Sequence, residues 1–114
     1  MKKIILGCLI FLTVSSAFAG TKVDEERIDK FCSGMADFAR TIMESRQTDG
    51  SISNDIHFIN DFPNIRDSLK DYYRNIVYSA YAEPRWETEE AKKNAVNEFA
   101  NQKYLRCVKV MKDD

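Results

Sequence analysis

The sequence predicts an all-α fold, a small bundle of three long helices plus a short one, and three observations carry that expectation. Apolar residues recur at helical spacing through most of the chain, no segment alternates with the period of a strand, and there is no internal repeat or low-complexity tract. Cys32 and Cys107 fall on the apolar stripes of the first and last long helices, so a disulfide between them requires those two helices to run antiparallel.

Residues 1–19 have the grammar of a cleavable export signal. Lys2 and Lys3 make a positive start, Ile4 to Val14 an apolar stretch, and Ala17-Phe18-Ala19 a small-x-small cleavage site. A membrane anchor would need about 20 apolar residues, and this run stops at Ser15. Ile5-Leu6-Gly7-Cys8 resembles a lipidation box, but the apolar stretch continues past Cys8 through Leu12, where such a box normally closes it. Cleavage after Ala19 leaves residues 20–114 as a single helical domain. Removing Lys2 and Lys3 from the 17 basic residues leaves 15 against 18 acidic ones, a net charge of −3. That balance argues against nucleic acid as a partner and against a membrane surface once the signal is gone.

The first helix is expected over Asp24 to Arg46, with Ile28, Phe31, Cys32, Met35, Phe38, Ala39, Ile42 and Met43 as one continuous stripe. Thr21 and Asp24 resemble a capping box, and Asp24, Glu25 and Glu26 suit the positive end of the helix dipole. Gly34, costly inside a helix, reads as the mark of a close helix crossing near Cys32. Thr48-Asp49-Gly50-Ser51 ends the element, with Gly50 as the stop.

Residues 51–62 admit two readings, a short helix capped by Ser53 or Asn54 and running through Asn60, or an apolar-rich loop. Pro63 fits the first turn of the next helix, which carries Ile65, Leu69, Tyr72, Tyr73, Ile76, Val77, Ala80 and Tyr81 inward to about Ala82. Glu83-Pro84 stops it. Thr88, followed by Glu89 and Glu90, is the N-cap of a last helix reaching about Met111, with Lys109 and Lys112 near its negative end. Counting from the Cys32–Cys107 bridge sets Met35, Ala39 and Ile42 opposite Tyr104, Ala100 and Val96 or Phe99.

A structural disulfide is the default for two cysteines in an exported small domain, and neither has the Cys-x-x-Cys spacing or neighbouring histidine of a redox-active thiol. Catalysis finds no constellation. The one histidine, His57, has Asp55 and Asp61 nearby, short of the four ligands of a closed zinc site, and no metal or cofactor is expected. Asp67 and Asp71 alternate with Arg66, Lys70 and Arg74 as on a solvated helix face, and no glycine-rich phosphate loop is present. Arg40 and Arg46 are expected at the surface, paired with Asp37, Glu44 or Asp49. The segment Tyr78 to Trp86 stands apart: Tyr78, Tyr81, Arg85 and Trp86 are of the residue types that dominate binding hot spots. A lone Trp in so small a domain also often covers the edge of the core.

The order Cys32, Ala36, Ala39, Arg46, Gly50, Ala80-Tyr81, Pro84, Phe99, Tyr104 and Cys107 resembles small one-disulfide helical proteins exported by Gram-negative bacteria and their phages, mostly of unknown function. The resemblance implies a periplasmic location and supplies no catalytic residues. The functional expectation is a non-enzymatic protein that binds an envelope protein partner through Tyr78, Tyr81, Arg85 and Trp86, as an inhibitor or exclusion factor. An acid-stress chaperone and a small cell-envelope hydrolase are the alternatives. The export reading predicts that the chain recovered from a cell envelope begins at Gly20 and is unmodified by intact mass. A diacylated chain beginning at Cys8 would replace it with a lipid-anchored form.

Overall fold

In the computed structural model, which describes residues 2–113 and the side chains of residues 24–113, the chain forms four helices. They are α1 (Lys2–Gln47), α2 (Ile52–Asn60), α3 (Asp67–Ala82) and α4 (Glu89–Asp113). The side chains of the export signal, Cys8 and Thr21 lie outside the described residues. Because α1 begins at Lys2, Asp24, Glu25 and Glu26 lie inside the helix and not in its first turn. Among the described residues no helix is long and apolar enough to cross a membrane.

The disulfide joins Cys32 of α1 to Cys107 of α4, with Cα atoms 5.5 Å apart, within the usual span for such a bridge. The two helices are antiparallel. Farther along, the Arg40 guanidinium of α1 donates to Asn97 Oδ1 of α4 at 2.8 Å, so residue numbers fall on α4 as they rise on α1. α3 runs parallel to α1: Phe38 meets Tyr73 edge-to-face at 4.7 Å, and Ser45 meets Tyr81 about two turns later on both helices. The short α2 returns antiparallel to α3, as the pairs Asp55–Tyr81 and Asn60–Arg74 record. The order is therefore up, down, up, down, with α1 as the element against which both α3 and α4 pack.

The core follows from the stripes. Cys32, Met35, Ala39, Ile42 and Met43 of α1 are buried against Ile76, Val77 and Ala80 of α3 and Val96, Phe99, Ala100 and Cys107 of α4. Ile59 adds the contribution of α2. Closing the loop of 75 residues between the cysteines is worth roughly 4.5 kcal/mol in the chain-entropy treatment, comparable with the whole stability of a small domain.

Several local expectations are corrected. α2 is a helix, but its N-cap is Ser51, not Ser53 or Asn54: Ser51 is extended and its Oγ accepts the Asn54 backbone N–H. Pro63 does not open α3. Asn64 adopts a positive φ of 63°, which interrupts the helical path, and the first acceptor is the carbonyl of Arg66, extended at φ −63°, ψ 147°. Ile65 is thus outside the helix whose stripe it was expected to join. Phe31, expected on the buried stripe, is 40 % exposed and borders a hollow between Leu69 and Tyr72 of α3 and Val110 and Met111 of α4. Thr88 does cap α4, its Oγ1 accepting the Ala91 N–H at 3.1 Å.

Of Gly34 and Gly50, the two glycines in residues 24–113, only Gly50 is required by packing. Its N–H closes the end of α1 on the Ser45 carbonyl at 2.8 Å, and a Cβ there would lie 2.5 Å from that carbonyl oxygen and 2.6 Å from the Tyr81 hydroxyl. Gly34 marks no crossing: a Cβ on it would meet nothing within 4 Å. Gly34→Ala should therefore raise stability by about 0.5–1 kcal/mol in denaturant unfolding. Gly50→Ala should lower it by about 1–3 kcal/mol as the α1–α2 turn shifts.

Candidate functional site

The C-terminal end of α1 holds the loop between α3 and α4. Gln47, only 2 % exposed, donates from Nε2 to the Pro84 carbonyl at 2.9 Å and accepts the Trp86 backbone N–H on Oε1 at 2.8 Å. Both ends of the amide are used, so burying it costs little and the loop is fixed at two points. One residue earlier, Arg46 Nε donates to the Glu83 carbonyl at 3.1 Å while its guanidinium lies 5.5 Å from the Tyr81 ring centroid. Arg46 and Arg40 thus bind a carbonyl and an amide and not the acids Asp37, Glu44 or Asp49 expected for them. Asp49 instead accepts from Arg85 at 3.0 Å.

The four residues singled out as a binding cluster diverge. The Tyr81 ring turns toward α1 and α2, its hydroxyl donating to Asp55 Oδ2 at 2.7 Å and lying 3.3 Å from Ser45 Oγ. Burial raises the pKa of that phenol, the Ser45 bond opposes the rise, and the bond to Asp55 adds to it. Arg85 lies beside the α1–α2 turn in an exposed ion pair with Asp49, where solvent screens most of the attraction. Tyr78 points elsewhere, into the space between α3 and α4, and is 51 % exposed. Trp86 combines exposure, 45 %, with a second cleft: it borders a hollow of about 250 Å³ lined by Met43, Ala91, Ala95 and Phe99. Glu83 and Glu98 stand at its edges.

His57 is exposed, and Asp55, the carboxylate nearest it in sequence, is held by Tyr81 and Ser45. Among the described residues no group of three or more His, Cys, Asp or Glu side chains converges as metal ligands would. Sequence reasoning missed Gln47 altogether. Its one signal was position: it continues the Ala39, Ile42, Met43 stripe by one more turn, and a polar residue there must find backbone partners.

These features define the class, a one-disulfide helical domain presenting an aromatic side chain on a braced loop. Comparison with protein-family models, with curated proteins and with solved structures gives no match for the chain.

If the Gln47 amide is what braces the loop, Gln47→Ala should cost about 2–3 kcal/mol, since it leaves the Trp86 N–H and the Pro84 carbonyl without their partner and opens a void. The fluorescence of Trp86, the single tryptophan, should report the loosening as faster quenching by iodide or acrylamide, with helical circular dichroism retained below the transition.

Proposed function

We propose that the mature domain acts in the periplasm by binding an envelope protein, as an inhibitor or exclusion factor, and that it is not an enzyme. The observation that carries this reading is the state of Trp86: a large aromatic side chain, nearly half exposed, on a backbone already immobilised by Gln47 and beside a partly apolar cleft. A side chain ordered before binding loses little entropy on association, and Trp in such a setting is the commonest hot-spot residue. The disulfide fits an oxidising compartment. Arg85 and Tyr81 support the loop from behind through Asp49, Asp55 and Ser45, and Tyr78 belongs to a different surface.

The test is site-specific photocrosslinking in envelope extract. A benzophenone side chain at position 86 should give a discrete adduct, and one at the exposed position 101 of α4 should not. Trp86→Ala should compete for that partner at least tenfold less well than the parent domain, and Arg85→Ala less than threefold. Equal labelling from both positions, or full competition by Trp86→Ala, would remove Trp86 from the interface.

A further inference from the structure

α3 and α4 each pack on α1, but they do not pack on each other along their lengths, and the space between them is open. It forms a groove of about 400 Å³ that is succeeded toward the disulfide by a second hollow of about 230 Å³, with Tyr72 and Val110 lining both. None of the residues lining these hollows borders the Trp86 cleft, so this surface is separate from it. Its lining is mixed: Leu69, Tyr72, Tyr78, Val110 and Met111 are accessible beside Ser68, Asn75 and Ser79, and Ile76 lies buried beneath them.

The charge of the groove runs against that of the chain. With 18 acidic and 17 basic residues overall, the two hollows are lined by three cations, Lys103, Arg106 and Arg66, and by no carboxylate. None of the three forms a salt bridge among the described residues, where ion pairs are instead made by Arg74, Arg85 and Lys92. The Lys103 ammonium is held by Ser79 Oγ at 3.2 Å and lies 5.0 Å from the centroid of the Phe99 ring. Burial lowers its pKa and the neighbouring Arg106 lowers it further, against a smaller opposing effect of Glu83. Two like charges are thus kept close together on a partly desolvated wall, an arrangement that an external anion relieves.

We propose that the α3–α4 groove docks an acidic amphipathic helix of a partner protein, whose carboxylates meet Lys103 and Arg106 while its apolar stripe lies along Leu69, Tyr72 and Val110. The nine residues from Lys103 to Met111 advance about 12 Å along α4, enough for about two turns of a docked helix with anchors at i, i+3 or i+4, and i+7. The described residues offer helices and no strand edge, so the occupant cannot add as a strand. A protein carboxylate suits the groove better than an anionic membrane, which a domain of net negative charge approaches poorly.

The test uses the disulfide-bonded mature domain and a fluorescein-labelled synthetic helical peptide with leucines at that spacing flanked by glutamates, beside its twin with lysine for each glutamate. Anisotropy should show the glutamate peptide binding at least tenfold tighter than the lysine peptide, with affinity falling as salt rises. Lys103→Gln combined with Arg106→Gln should weaken it at least tenfold, as should Val110→Asp, while Trp86→Ala leaves it unchanged. Circular dichroism checks that each variant is folded. Equal binding of the two peptides, or full binding by the Lys103→Gln, Arg106→Gln variant, would overturn the proposal. So would binding only to phosphatidylglycerol vesicles, which would assign the groove to lipid.

Discussion

The antiparallel pairing of α1 with α4 is the constraint on which the rest depends, and it is secured at both ends by unlike means. At one end the Cys32–Cys107 bridge is covalent and limits the unfolded chain more than it adds contacts to the folded one. At the other, Gln47 reaches from the last turn of α1 to the backbone that leads into α4. Between them lies an apolar seam of Met35, Ala39, Ile42, Val96 and Phe99, which neither fastening would align alone. A domain this small has little core to spare, so fixing the ends of one helix pair is an efficient way to hold a single register.

The same arrangement explains why the molecule has grooves. α3 follows α1 in parallel through Phe38–Tyr73 and Ser45–Tyr81, and α4 opposes α1 through the bridge and Arg40–Asn97. Each therefore satisfies its apolar stripe on α1. Neither needs the other, and the side chains between them, Tyr72, Tyr78 and Val110, are left facing a cleft. Likewise the loop joining α3 to α4 is fixed by α1 and not by its own turn chemistry, which frees the Trp86 ring to project. Both candidate binding surfaces are by-products of a bundle organised around one helix.

Most of the helical content was legible because it rests on local periodicity and caps: α3 ends at Ala82 before Glu83-Pro84, and Thr88 caps α4, as the residues indicate. The places where reading the sequence fell short are those where a backbone torsion or a distant partner decides. Asn64 at positive φ delays α3 past Pro63; Pro-Asn is also a turn signal, and it is that role, not the first turn of a helix, that the pair takes. Gly34, inside a helix, reads in sequence as the closely packed glycine, yet it faces open space, while Gly50, the helix stop, is the one that sits against Ser45 and Tyr81. The cluster Tyr78, Tyr81, Arg85 and Trp86 was adjacent in sequence but is not one surface, since Tyr81 is drawn to Asp55 and Ser45, Tyr78 lines the space beside α4, and Arg85 and Trp86 follow on a loop held by Asp49 and Gln47. Nor was the Lys103 and Arg106 groove visible, because its walls come from two helices that the linear pattern presents separately.

What the sequence determined by itself is the helical class, the position of the long stripes and the pairing of Cys32 with Cys107, because each depends on spacing along one chain. Tertiary structure alone decided that α3 runs with α1 and apart from α4, that Gln47 holds the Trp86 loop, and that Lys103 and Arg106 gather on a groove whose lining holds no carboxylate. Those outcomes depend on which helix finds room against α1 once the covalent bridge has set α4 in place, and that competition for one apolar seam is not written in the periodicity of any single segment.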